Sequence, residues 1–253
     1  MSADAADERS AEEVTAAKEA VLEVEHGPFV TAILDGTLPT SVVVAAMGDA
    51  SEEVRDAALS VARAAVSGEA AAGKSDQLLT ALASTVDGAG DAAATRGADL
   101  ARGAVVALYA HLAATTLPAG TDAKREEALR RVLSSLKNLN DDGCFVASRS
   151  AALLSDALGN DLIVNIEQLK NNSLTTDDVS TRRACASGCA GLLKGAGGDS
   201  VNTLGITAAV TSALAAKKDA AQRAGGLALY AHLCCTAGRA FEPSAVNLAP
   251  TVF

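Results

Sequence analysis

Five arginines, Arg55, Arg102, Arg149, Arg183 and Arg223, each open a run of small and apolar residues, with gaps of 47, 47, 34 and 40 residues. That is the period of a two-helix repeat, not of an enzyme's scattered catalytic residues. The second residue past each arginine is small: Ala57, Ala104, Ala151, Cys185 and Gly225. A small side chain at one fixed helical position lets a neighbouring helix approach closely. A second echo supports the period. Val106-Ala-Leu-Tyr-Ala-His-Leu112 returns as Leu227-Ala-Leu-Tyr-Ala-His-Leu233, an offset of 121 residues or three periods of about 40. The expected fold is all-α, a right-handed α-solenoid of about five helix pairs plus a C-terminal stub.

In a solenoid each unit packs only on its neighbours, so a chain of 253 residues needs no division into globular domains. Apolar residues make up 49% and aromatics only 2%, which leaves Ala, Leu and Val to build the core. The formal net charge of −10 argues against a general nucleic-acid-binding surface, which needs clustered positive charge. A local basic patch is still compatible with it. Five cysteines, an odd number, fit a reducing compartment better than a disulfide framework. The acidic start, Met-Ser-Ala-Asp-Ala-Ala-Asp-Glu, has no apolar signal core. The apolar stretch 103–117 is too short to span a bilayer. These features predict a cytoplasmic protein with no membrane contact.

Residues 1–11 are polar and charged and are expected to be disordered, with the repeat domain running from 12 to 253. A helix is predicted over 12–25, broken by His26-Gly27-Pro28, with a short helix following to Leu34. The pairs fall at 38–47 with 51–67, 74–87 with 97–116, 121–138 with 143–158, 160–171 with 177–196, and 199–216 with 218–237. Asp49 and Glu52 have capping-box spacing. Gly73, Gly120, Gly159, Gly198 and Gly238 are placed to stop helices. Pro243 suits the first turn of a further helix. The chain then ends on Val246, Leu248, Val252 and Phe253 rather than on a polar capping helix, which suggests a fragment of a longer array.

Gly48-Asp-Ala-Ser-Glu-Glu-Val-Arg-Asp-Ala-Ala58 resembles the HEAT signature of a turn aspartate, Val-Arg and small residues. That resemblance implies a ladder between turns, here pairing Asp49, Asp99, Asp142, Asp178 and Asp219 with the five arginines. Over 178–253 the chain resembles the Gcn1 translational-activator family, shared in part with fungal-type elongation factor 3. The residues are Arg182-Arg-Ala-Cys-Ala-Ser-Gly-Cys-Ala-Gly-Leu-Leu-Lys-Gly-Ala-Gly197, then Lys217-Lys218, Arg223-Ala-Gly-Gly-Leu227, Leu233-Cys234 and Gly238-Arg239-Ala-Phe-Glu-Pro243. Gly226, Ser187 and Cys189 depart from the family's usual residues. The resemblance implies a non-catalytic scaffold that sits on ribosomes, with an ABC-type translation factor and a protein kinase as partners. It implies no cofactor and no small-molecule substrate.

Each sharper reading has a plainer rival. Cys185 and Cys189 share a helix face, and with His232, Cys234 and Cys235 they could be imagined around a metal. Zinc sites usually come from short paired knuckles, and every cysteine here sits where Ala or Leu would serve. His111 and His232 occupy matching positions in the echo, as do Tyr109 and Tyr230, which favours packing over catalysis. Gly195-Ala-Gly-Gly198 lacks the Gly-Lys-Ser/Thr ending of a phosphate loop. No HExxH, paired-carboxylate or GxSxG pattern occurs. The candidate partner or RNA contacts are Lys124 and Arg131, seven residues apart, and a second basic set of Lys217, Lys218 and Arg239. Their plain reading is a solvated surface. Two other functions share the pattern, a bilin-lyase-type HEAT-like protein and a general adaptor for another complex. The register places Leu59, Leu108, Leu153, Leu192 and Leu229 in the core, and nearest-neighbour coupling predicts that terminal units melt first.

Overall fold

The computed structural model describes residues 9–88, 95–117, 121–158 and 162–252. Among them are fourteen α-helices and no strand. The helices α1 (Ala11–Leu22) and α2 (His26–Leu34) lead the chain. Five pairs follow: α3 (Val42–Met47) with α4 (Glu52–Ser67), α5 (Ser75–Asp87) with α6 (Arg96–Thr116), and α7 (Asp122–Ser135) with α8 (Asp141–Leu158). Next come α9 (Ile163–Thr175) with α10 (Val179–Ala196), then the short α11 (Asp199–Thr203), and α12 (Ile206–Leu214) with α13 (Ala220–His232). A π-helical turn, Leu233–Ala237, prolongs α13, and α14 (Glu242–Val252) stands where Pro243 predicts a helix.

The second helix of each pair stacks on its counterpart in the next: α4 on α6, α6 on α8, α8 on α10, and α10 on α13. Each also packs on its own first helix, which makes two layers propagated by repetition. The chain is an all-α solenoid. Its core is what the composition requires. Alanine, leucine and valine dominate it, and Ala57, Ala104, Ala151, Cys185 and Gly225 are all buried. At Gly191 a methyl group would meet the Ser148 carbonyl oxygen at 2.4 Å and the Ala151 Cβ at 3.2 Å. Backbone cannot swing aside, so α8 and α10 need hydrogen at this point. Alanine inside a helix ordinarily stabilises it by about 1 kcal/mol over glycine. Gly191→Ala will instead lower stability by about 1–3 kcal/mol, read as a shift of the urea midpoint. A rise in that midpoint would refute the close approach.

Several local expectations need correction. Ser10 caps α1 in a reciprocal capping box with Glu13, and Arg9 pairs with Asp49. The first helix therefore opens inside the segment expected to be disordered; residues 1–8 lie outside the described residues. Asp49 and Glu52 form no capping box. The N-cap of α4 is Ser51, which makes no side-chain cap bond, and Asp49 accepts the Ser51 amide at 2.8 Å. Gly73 and Gly238 stop helices with positive φ, but Gly197 (φ 87°) does so in place of Gly198. Gly120, Gly159 and Phe253 lie outside the described residues, as does most of the 87–96 loop.

The leucine register fails at one position. Leu108, Leu192 and Leu229 are fully buried and Leu59 is half-buried, but Leu153 is 40% exposed. Leu153 lies four residues past the exposed Arg149, so it shares the arginine's outward face. Leu154, one position on, takes the core site.

Candidate interaction surface

Three of the register arginines, Arg55, Arg183 and Arg223, bind backbone carbonyls where the ladder predicts a turn aspartate. Arg55 donates to the carbonyls of Asp49 (2.8 Å) and Ala50 (2.7 Å), and Arg223 to those of Ala216 (2.6 Å) and Lys217 (2.9 Å). These guanidiniums clasp the turn before their own helix. In the fourth unit the clasp belongs to Arg182, which donates to Thr176 O at 2.9 Å. Arg183 crosses to the third unit instead, donating to Leu139 O and lying 3.8 Å from Asp141. The reason is register. Ser187 Oγ donates to Cys144 O and Gly191 sits on Ser148 O, both 43 residues away. Arg183 is therefore level with Asn140, not with Arg149. Arg149 is exposed on α8, and Arg102 lines a cleft of about 510 Å³ between α3, α6 and the 136–139 turn. That cleft is walled mainly by apolar residues, among them Leu38, Val44, Val86 and Val105.

The aspartates divide into three roles. Asp178 and Asp219 cap their own helices through the amides of Thr181 (2.7 Å) and Gln222 (2.8 Å). Hydrogen bonds from Thr181 and Ser180 hold the Asp178 carboxyl down at about 2. Asp49 and Asp142 pair with Arg9 and Arg96, the latter at 2.9 Å across units. Asp99, 1% exposed, reaches into the next unit and accepts the amides of Asn140 and Gly143, both at 2.6 Å. It anchors the start of α8, where free amides favour an anion. Burial nevertheless raises its carboxyl above the ordinary range. Asp99 was expected to meet an arginine; Arg183 does act on it and favours its charge, while its hydrogen bonds go to backbone amides.

The candidate cations separate sharply. Arg131 is held by Asp87 at 2.6 Å and Glu127 at 3.3 Å, and Lys124 lies 3.6 Å from Asp76. Both line one groove between α5 and α7 beside Tyr109. Two bases there face three carboxylates, so the groove offers no net attraction to phosphate. Lys217, Lys218 and Arg239 are exposed, and no ion pair engages them among the described residues. They do not form one patch. The lysines precede α13 and Arg239 follows its π-helical extension, so roughly 25 Å of helix at 1.5 Å per residue lies between them. Sequence proximity suggested a set; the helix puts its members at opposite ends.

The echoed histidines and tyrosines have diverged. His111 is half-buried with Nε2 3.3 Å from Ser67 Oγ. Burial and the Arg63 guanidinium both push its pKa down. His232 is 4% exposed, and its ring centroid lies 4.6 Å from that of Phe145. Tyr109 is buried, whereas Tyr230 reaches the Ala245 carbonyl at 3.3 Å. Cys144, Cys185 and Cys189 are buried, and burial pushes Cys144 and Cys189 up to about 12. They are packed as neutral thiols. Among the described residues no group of three or more His, Cys, Asp or Glu is placed to hold a metal ion, and no helix is long and apolar enough to cross a membrane.

Fold and surfaces together define a helical-repeat segment whose exposed features are turns, helix faces and unpaired lysines. The chain is 36% identical over 85 residues to the stalled ribosome sensor GCN1 of Mus musculus and of Homo sapiens. The match covers 34% of this chain and 3% of either relative. The eIF-2-alpha kinase activator GCN1 of Dictyostelium discoideum is similar to the same degree, 36% over 85 residues. The chain thus spans a small part of the length of these relatives. No family model matches it, and no solved structure matches it.

Proposed function

We propose that this chain is part of a non-catalytic HEAT-type scaffold acting in translation control in the cytoplasm. The observation that carries the reading is the 36% identity to a stalled ribosome sensor, found in a chain that folds as a solenoid. A stacked array offers a long surface and positions partners; it makes and breaks no bond. The ribosome is the proposed partner, along with a kinase of the class that the relatives activate and an ABC-type translation factor. Lys217 and Lys218 are the proposed phosphate contacts, because they alone of the candidate cations are adjacent, exposed and unneutralised.

The test is co-sedimentation of the chain with ribosomes at low and physiological salt. Binding should weaken as salt rises, since released counterions drive it. Lys217→Glu/Lys218→Glu should abolish the low-salt binding, while Lys124→Glu should leave it within about twofold. Failure of the unaltered chain to co-migrate even at low salt would count against the ribosome as partner. Loss of binding on Lys124→Glu alone would relocate the contact to the α5–α7 groove.

A further inference from the structure

A solenoid that obeys its own repeat has contacts only between adjacent units. Two contacts here skip a unit. His232, at the end of α13 in the fifth unit, packs its ring on Phe145 of α8 in the third, with centroids 4.6 Å apart. Four residues on, in the π-helical turn, Thr236 Oγ1 lies 3.0 Å from Ser148 Oγ, again on α8. Ser148 is completely buried, and Thr236 and His232 are 2% and 4% exposed. The Thr236–Ser148 contact therefore lies inside the protein, and the His232 ring is buried against the half-buried Phe145.

The helix they bridge explains how they meet. From Ala184 through Leu193, α10 is buried on every face. Six of those ten residues are Ala, Ser or Gly at Ala184, Ala186, Ser187, Gly188, Ala190 and Gly191. This makes α10 slender where α8 and the end of α13 pass it. On one side Ser187 Oγ is bonded to Cys144 O at 3.1 Å and Gly191 rests on Ser148 O. The widened turn after α13 then carries Thr236 past α10 to the same serine. π-Turns tend to mark places where a helix departs from its register for a purpose. Asp141 and Arg183 are the charged groups that act on the imidazole, from α8 and α10.

We propose that His232, Thr236 and the π-helical turn form a latch that fastens the fifth unit directly to α8, closing units three to five into one rigid block. Units one and two keep ordinary nearest-neighbour coupling. The latch fixes the relative orientation of α8, α10 and α13, so the surface they present is preformed whatever partner the array meets. It also reverses the expectation that the C-terminal unit loosens first.

Native-state amide hydrogen exchange on the full chain tests this, because it reports opening segment by segment. Thr236→Val, which keeps shape and removes the hydroxyl, should speed exchange about tenfold in residues 233–237 and in α8. Ser148→Ala should do the same, and the double variant should be no faster than the faster single. Phe241→Leu is the control. Phe241 packs on Tyr230, with ring centroids 6.1 Å apart, so this change loosens the fifth unit away from α8. It should leave α8 exchange unchanged. The latch is refuted if Thr236→Val accelerates only residues 220–252, or if the two single effects multiply in the double variant. It is equally refuted if Phe241→Leu accelerates α8 as much as Thr236→Val does.

Discussion

Leu192→Ala will lower the unfolding free energy by about 2–5 kcal/mol, and Leu108→Ala by a similar amount, whereas Leu153→Ala will cost less than about 1 kcal/mol. The three leucines are indistinguishable by type and all follow a register arginine. They differ in what surrounds them. Leu108 and Leu192 are fully buried in the middle of α6 and α10, so truncation leaves a cavity that rigid helices cannot close. Leu153 is 40% exposed and leaves only a notch at the surface. Urea unfolding followed by helical circular dichroism measures all three. For a chain of this length each kcal/mol lowers Tm by roughly 2–4 °C, so the core variants should be plainly separable from Leu153→Ala. Equal losses at Leu153 and Leu192 would overturn the side-chain placement of α8.

The same comparison shows which signals in a repeat sequence can be trusted. Helix existence was legible because Ala-rich apolar runs alternate with Gly, Asp and Ser at the turns; the exception is the run expected unbroken over 199–216, which Gly205 at φ 60° splits into α11 and α12. The layer each helix joins was legible from the small residue after each arginine. The rotation of individual helices was not. Counting from the arginine assumes one common register, yet α10 is set against α8 with an offset of 43 residues and the arginine gap there is 34. A nine-residue discrepancy is two and a half turns, so counting from Arg149 and Arg183 misaligns α10 on α8.

Charge was the least legible property. Lys124 and Arg131 look like a basic stripe in sequence because their partners, Asp76 and Asp87, belong to another helix. A ladder of opposite charges was expected where backbone carbonyls and amides do the pairing instead, at Arg55, Arg223 and Asp99. Backbone groups have no letter in a sequence, so such partners cannot be read from residue types. The skip contact had a faint signal. α10 carries small residues on more than one face, which is more than a single close neighbour requires.

Acidification below about pH 7 should destabilise this protein, because the His232 imidazole binds a proton more readily once unfolding frees it from burial. Burial lowers its pKa to about 4, outweighing the pull of Asp141, and Arg183 adds to the lowering. In the unfolded chain the imidazole titrates near 6.5. The folded-state pKa is depressed, so between these values the unfolded state binds the additional proton and stability falls as pH falls. The contribution is intact above about pH 7 and lost progressively down to about pH 4. Linkage over that window gives a loss of about 2 kcal/mol by pH 5 and about 3 kcal/mol by pH 4. His111 is also depressed, but it is half-buried at the α4–α6 contact and serves as a second, smaller contributor. Urea midpoints collected at half-unit steps from pH 7.5 to 4.5 would trace the curve. His232→Leu, which keeps an apolar body against Phe145 and removes the titrating group, should flatten most of it. A slope unchanged by that substitution would mean that the proton goes elsewhere and that the buried imidazole is not what acid finds first.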